Sequence, residues 1–157
     1  MSDRAKAKSD DMPAVMPYLG VREAAAAIEF YRQAFGAKDM GRLNLPDGRI
    51  AHAAIDIGGA VVMLADENPE WGNFAPPSLG GTTVRLHLYV DAVDAVFARA
   101  IAAGAKEVIP VADQFYGDRS GRLEDPFGHQ WIVATRKEEV AMDEMQRRFE
   151  EMAPKTE

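Results

Sequence analysis

The chain repeats itself, and this limits its fold more than any other feature. One constant displacement sets Val21 on Val90, Asp56 on Asp125 and Gly59 on Gly128, each time with strand-forming residues on both sides. A chain written twice folds as two like modules, and each half must find cover for its apolar face. The second copy is sharpest at Asp125-Pro126-Phe127-Gly128-His129. There the proline presets one backbone angle and the glycine accepts a positive one, so a turn is predicted, with Gln130-Trp131-Ile132-Val133-Ala134 running on as a buried strand.

Taken in order, 1–14 reads as a disordered, solvated tail, with no apolar core and no cleavage pattern of a signal peptide. The first module is expected over 15–67. It starts with a strand over 15–21 and a helix over 22–35, whose Ala24, Ile28, Tyr31 and Phe35 follow helical spacing up to a stop at Gly36. Strands are expected over 38–45, 49–57 and 60–64, joined by Pro46-Asp47-Gly48 and by Gly58-Gly59. The glycine- and proline-rich 68–81 breaks every period and reads as the linker. Its Trp71 and Phe74 either pin it to the body or close over a ligand.

The second module, over 82–135, repeats the order. A strand over 82–90 leads to Asp91 as N-cap, and Val93, Val96, Phe97, Ala100 and Ile101 make one helical stripe ended by Gly104. Strands over 107–112, 115–124 and 129–134 follow. In 136–157 a last helix is expected, with Thr135-Arg136-Lys137-Glu138 as its capping box and Met142, Met145, Phe149 and Met152 along one face. That face either packs on the sheet or on a second subunit, or forms an adaptable binding surface.

Composition removes whole classes of function. With no cysteine there is no disulfide framework, thiol nucleophile or zinc thiolate site. A net charge of −7 and a pI near 5.0 oppose binding to nucleic acid or to anionic membrane, which need clustered Lys and Arg. The partner expected instead is a small molecule, with a cationic one favoured by the charge. No apolar run is long enough to span a bilayer, and a cytoplasmic location is expected. No glycine-rich loop opens a helix, and no nucleophile elbow occurs.

The segments VMPYLGV, GRIAHAAIDIGGAVVMLADE, LHLYVDAVDAVFARAIAAGA and DQFYGDRSGRLEDPFGHQWIVAT together resemble the vicinal oxygen chelate superfamily, which includes glyoxalases, bleomycin resistance proteins and extradiol dioxygenases. Within it they are most similar to the PhnB-like branch. The resemblance implies an α+β fold: two βαβββ modules forming curved mixed sheets around a cup, plus a C-terminal helix. It also implies a homodimer. Enzymes of this group hold a divalent metal near the first and last strands of each module, where it acts as a Lewis acid. The matching positions here are Met16 and Met63 in the first module, Arg85 and Ile132 in the second. Two thioethers, a guanidinium and an aliphatic chain are no set for such a cation. A register shift of two residues would keep side chains on the same face and bring in His87, with His52 and Glu124 as an unorthodox alternative.

The remaining candidates follow from strand parity. In the strand over 49–57, Ala51, Ala53, Ile55 and Ile57 share one face, so His52 lies on the other, facing either the cup or solvent. His87 alternates with Arg85 and Tyr89, and Tyr18 matches His87 in the first module. Gln130 and Ile132 share a face, which sends Trp131 to the core; His129 belongs to the turn. Tyr116, Asp118 and Arg119 are expected at the mouth. The reading is a cup that binds a small, flat or amphipathic organic molecule without a metal, through Tyr18, His52, Arg85, His87, Gln130 and Tyr116, and the resemblance to the bleomycin resistance members implies sequestration as its function. The alternative is a metal-dependent lyase, isomerase or dioxygenase of the same superfamily; an imidazole acting alone as acid or base is a further one.

Overall fold

The structure, a computed structural model, describes residues 5–154. It divides into two units, Met1–Gly80 and Gly81–Glu157. In the first, β1 (Tyr18–Val21), α1 (Ala24–Phe35), β2 (Lys38–Asn44), β3 (Ile50–Ile57) and β4 (Ala60–Asp66) build a four-stranded sheet ordered β1-β4-β3-β2. β1 runs parallel to β4, and the other pairs are antiparallel. After the short helix α2 (Pro76–Leu79), the second unit repeats the plan with β5 (Arg85–Tyr89), α3 (Val93–Ala102), β6 (Lys106–Asp113), β7 (Asp118–Glu124) and β8 (Gln130–Arg136), ordered β5-β8-β7-β6. The helix α4 (Met142–Met152) follows. This is the expected α+β arrangement of two βαβββ modules and a C-terminal helix.

In each unit the longer helix that follows the first strand, α1 or α3, covers the apolar face of its own sheet. Ala24, Ala27, Ile28, Tyr31 and Ala34 of α1 are buried, as are Ala53, Ile55, Ile57, Val62 and Leu64 on the strands. At the end of α1, Gly36 takes a left-handed conformation (φ 70°) and donates its N–H to the Arg32 carbonyl, which stops the helix where the glycine predicted. In the second unit Val93, Val96, Phe97 and Ala100 face buried Leu123, Trp131 and Val133. Trp131 therefore lies in the core, and its indole Nε1–H donates to Asp125 Oδ2 at 2.9 Å.

Several local expectations are overturned. The first strand begins at Tyr18, leaving Met16 outside it, and the strand expected over 115–124 begins only at Asp118. Gln114 to Gly117 form a turn instead, with the Gly117 N–H on the Gln114 carbonyl. Thr135-Arg136 is no capping box: both residues end β8, and α4 starts at Met142. Asp91 is no cap either, because the N-cap position is Ala92 and carries no side-chain bond. The cap comes from across the sheet, where Thr135 Oγ1 accepts the Val93 N–H at 2.9 Å and donates to the Val90 carbonyl at 2.7 Å. The first unit has the same device. Asp66 Oδ1 accepts the Ala24 N–H at 2.8 Å, while Oδ2 accepts that of Ile50 at 2.6 Å.

The repeat holds in the pairing as well. Tyr18 lies beside Met63, and His87 beside Ile132. It slips by one residue in the third strand of each module, since Ile55 pairs with Val62 while Leu123 pairs with Trp131. The physical cause is the turn: Gly58-Gly59 joins β3 to β4, whereas the five residues 125–129 join β7 to β8. The stretch 68–81 is not featureless. It contains a 3-10 turn, Pro69–Trp71, and then α2.

Candidate functional site

Strand alternation leaves one face of each sheet without a helix, and both carry polar and aromatic groups. In the first unit Tyr18, His52, Ala54 and Met63 share that face. The Tyr18 hydroxyl and His52 Nδ1 lie 2.9 Å apart, and partial burial raises the phenol's pKa above its ordinary value. One end of the face is roofed. A Cβ on Gly20 would strike the Phe74 carbonyl oxygen and come within 2.6 Å of Asn73 Oδ1, so only glycine admits the 73–74 turn there. Asn73 Nδ2 donates to the Asp66 carbonyl at 2.9 Å, and the Ala75 N–H donates to Glu67 Oε1 at 3.0 Å. The backbone and Asn73 thus hold this segment down. Trp71 and Phe74 themselves stay 62% and 42% exposed.

The open face of the second unit is best described in rows across the strands. Lys106, Glu124, Gln130 and Arg85 form one row, Ile109, Arg122, Ile132 and His87 the next, and Ala112, Ser120, Ala134 and Tyr89 a third. The His87 and Tyr89 rings are 4.7 Å apart between centroids. Tyr89 donates its hydroxyl to Asp118 Oδ2 at 2.7 Å, and this bond to the neutral phenol is the main reason its pKa lies above the usual value. Tyr116 and Ser120 oxygens are 3.2 Å apart. A cleft of about 170 Å³ opens here, lined by Ile109, Gln114, Tyr116, Ser120, Arg122 and Ile132.

Of the expected site residues, Tyr18 and His52 meet in the first unit, and Arg85, His87 and Gln130 share the second unit's open face with the Tyr116 cleft. Arg119 leaves the mouth. It has the opposite parity, and its Nε and Nη2 donate to Asp94 of α3 at 2.8 and 2.9 Å. His129 serves the turn, its N–H donating to Asp125 Oδ1 at 3.0 Å. Arg122 is a residue that sequence reasoning missed. The signal was present, since Ser120, Arg122 and Glu124 alternate on the face shared with Gln130 and Ile132.

The pairing register shows what stands beside the last-strand positions of the expected metal set. The first-strand neighbours of Met63 and Ile132 are Tyr18 and His87, not Met16 and Arg85. The donors are then a thioether with a phenol, and an isoleucine with an imidazole beside the Arg122 cation. Neither set suits a divalent ion. Among the described residues no three His, Asp or Glu side chains are grouped so as to hold one; His52 lies in the first unit, His87 and Glu124 in the second. Nor is any described helix long and apolar enough to cross a membrane.

Comparison with known proteins places these faces in a family. An uncharacterized protein of Mycobacterium bovis is 49% identical over 137 residues, covering 85% of this chain and 90% of that protein. The crystal structure of TioX from Micromonospora sp. ML1 is similar with a TM-score of 0.61 and 28% identity, over 83% of this chain and 99% of that one. A PhnB protein from Bacillus cereus shares the fold at a TM-score of 0.62 and 18% identity, over 78% of this chain and 99% of its own. The family model described as Glyoxalase/Bleomycin resistance protein/Dioxygenase superfamily matches residues 13–133. With a match that takes in the first module and all of the second but the end of β8, the chain belongs to the glyoxalase/bleomycin resistance protein/dioxygenase superfamily.

Proposed function

We propose that this protein binds a small organic molecule without a resident metal, and that it acts by sequestration and not by metal-assisted catalysis. The observation that carries the reading is the make-up of the second unit's open face. Cationic, imidazole and phenolic groups (Arg85, Arg122, His87, Tyr89, Tyr116) stand around Ile109 and Ile132, and the positions next to the last strand offer no metal-binding set. A few directed polar groups beside apolar walls are what a ligand site needs. In this reading Tyr18 and His52 on the first unit's own open face offer further polar contacts for a ligand, and cytoplasmic residence and a homodimer complete it.

The experiment is metal analysis of protein purified without chelator or nickel resin, followed by a thermal-shift screen of small aromatic and amphipathic compounds. The expected result is protein free of near-stoichiometric Mn, Fe, Ni or Zn, stabilised by a subset of compounds. His87→Ala should weaken such a compound by about 1–3 kcal/mol, the range for losing a hydrogen bond inside a site. Near-stoichiometric metal, removal of which abolishes an activity, would overturn the reading in favour of an enzyme.

A further inference from the structure

We infer that the cleft in the second unit is an acid-binding subsite, in which Arg122 receives the carboxylate of a small apolar acid. The inference rests on the reading of this protein as a small-molecule binder and names the ligand's chemistry. It begins with a charge anomaly. The chain has 25 Asp and Glu against 18 Lys and Arg, so carboxylates are in surplus. Arg22, Arg32, Arg42, Arg49, Arg119, Arg136, Arg147 and Arg148 each face one. Arg85 and Arg122, which share the open face, make no ion pair among the described residues.

Arg122 is the sharper case. Its Nε is buried and has no hydrogen-bond partner within the described protein. A buried donor left unmade costs about 1–3 kcal/mol, and more when it belongs to a charged group, so native structures supply a partner. Glu124 stands on the same face of β7 but forms no ion pair with Arg122, although the surplus of acids would have made one easy to provide. The partner is therefore sought in the cleft that Arg122 lines. The Nε–H and one Nη–H of a guanidinium form a side-on fork that fits the two oxygens of a carboxylate. Ser120 and Tyr116 bring two hydroxyls to the same cleft, and Ile109 and Ile132 give it apolar wall for a hydrocarbon body. At about 170 Å³ it is smaller than the ~300 Å³ at which drug-sized pockets begin, so it takes a compact acid or the acid end of a larger ligand. The overall charge favoured a cationic partner, but the local chemistry favours an anion.

The probes are benzoate and cyclohexanecarboxylate, with benzamide and benzylamine as neutral and cationic counterparts. Binding is read by titration on the full chain and by the Arg122 side-chain 15Nε resonance, assigned in the wild-type protein by through-bond correlation to the Arg122 backbone. The expected result is saturable millimolar binding of both acids, a shift of the Arg122 Nε resonance, and affinity reduced about tenfold or more in Arg122→Lys, which keeps the charge but loses the fork. The wild-type resonance provides the test even if the variant fails to fold. Absence of saturable binding by either acid, or binding that leaves the Arg122 Nε resonance unmoved, overturns the inference. Equal binding of benzamide or benzylamine also overturns it, while leaving small-molecule binding in place.

Discussion

Single side chains decide how each module closes, and they do so through backbone donors. Asp66 uses both carboxylate oxygens, one for the first N–H of α1 and one for the first N–H of β3, so it fixes the helix against the strand it crosses. Replacing it with Asn leaves one acceptor oxygen and turns an NH₂ toward a donor. Asp66→Asn should cost about 1–3 kcal/mol in denaturant unfolding, as expected when a half-buried N–H loses its partner. Thr135 does the equivalent work in the second unit with a hydroxyl that accepts from Val93 and donates to Val90. Thr135→Val keeps the shape and loses both bonds, and should destabilise by a similar amount, whereas Thr135→Ser should be much milder. Equal stability of the Val and Ser variants would show that the hydroxyl does not matter. Neither cap was legible in sequence, because each lies some forty residues from the helix it serves. Local rules favoured Asp91, which sits next to the helix and caps nothing.

At the scale of elements, the sequence was legible wherever period and turn chemistry agreed. The alternation in β3 and β8, the helical stripes of α1 and α3, and the stop at Gly36 were all readable, because each side chain reports only which face it occupies. Ends were less so. The turn at Gln114–Gly117 is rich in aromatic residues and resembles strand, yet its bonds close locally. The segment 68–80 could not be read as packed, since what holds it is a missing Cβ at Gly20 on another strand. Gly20→Ala should therefore displace the 73–74 turn, raising hydrogen exchange over 68–75 while the β3–β4 amides stay protected. Unchanged exchange there would refute the packing argument. The helix α4 is held by polar contacts: Arg148 Nη1 donates to the Phe115 carbonyl at 3.0 Å and to Glu138 at 2.7 Å, and Phe149 meets Phe115 at 5.6 Å. Bonds from Arg147 and Arg148 pull the Glu144 carboxyl from 4.5 to about 2. A lowered folded pKa means that this contribution is present above the ordinary carboxylate range and is lost as pH falls through about 2. Acidification across that window should loosen α4 before the sheets unfold, with helical circular dichroism falling ahead of tryptophan fluorescence. Coincident loss of both signals would argue against it.

For the whole molecule, what the sequence conveyed of the candidate site was its faces but not its neighbours. Parity put Arg85, His87 and Gln130 together, yet only the pairing register shows His87 beside Ile132 and Arg122 in the next strand. The Arg122–Ile132 register differs by one residue from that of the first module, because the β7–β8 turn is longer than Gly58-Gly59, and the repeat obscures this. The same limit applies to assembly, for which the structure shows exposed apolar side chains and open sheet edges. Among the large apolar side chains of α4, Met142, Phe149 and Met152 are 75%, 51% and 63% exposed, and no residue of that helix is buried. The strands β2 and β6 end their sheets and are almost wholly exposed. A helix with one apolar stripe gains little from standing in water, and an unpaired sheet edge invites another chain. We expect a homodimer in which the α4 stripe is covered. Sedimentation at micromolar concentration should then give a species of twice 17.2 kDa. Met142→Glu combined with Met152→Glu places two charges on the stripe and should shift the equilibrium to monomer without lowering the helix content, because glutamate is a good helix former. A wild-type protein that sediments as a single 17.2 kDa species would rule out the dimer. A dimer untouched by the double variant would move the interface away from α4, leaving the exposed edge strands to account for it.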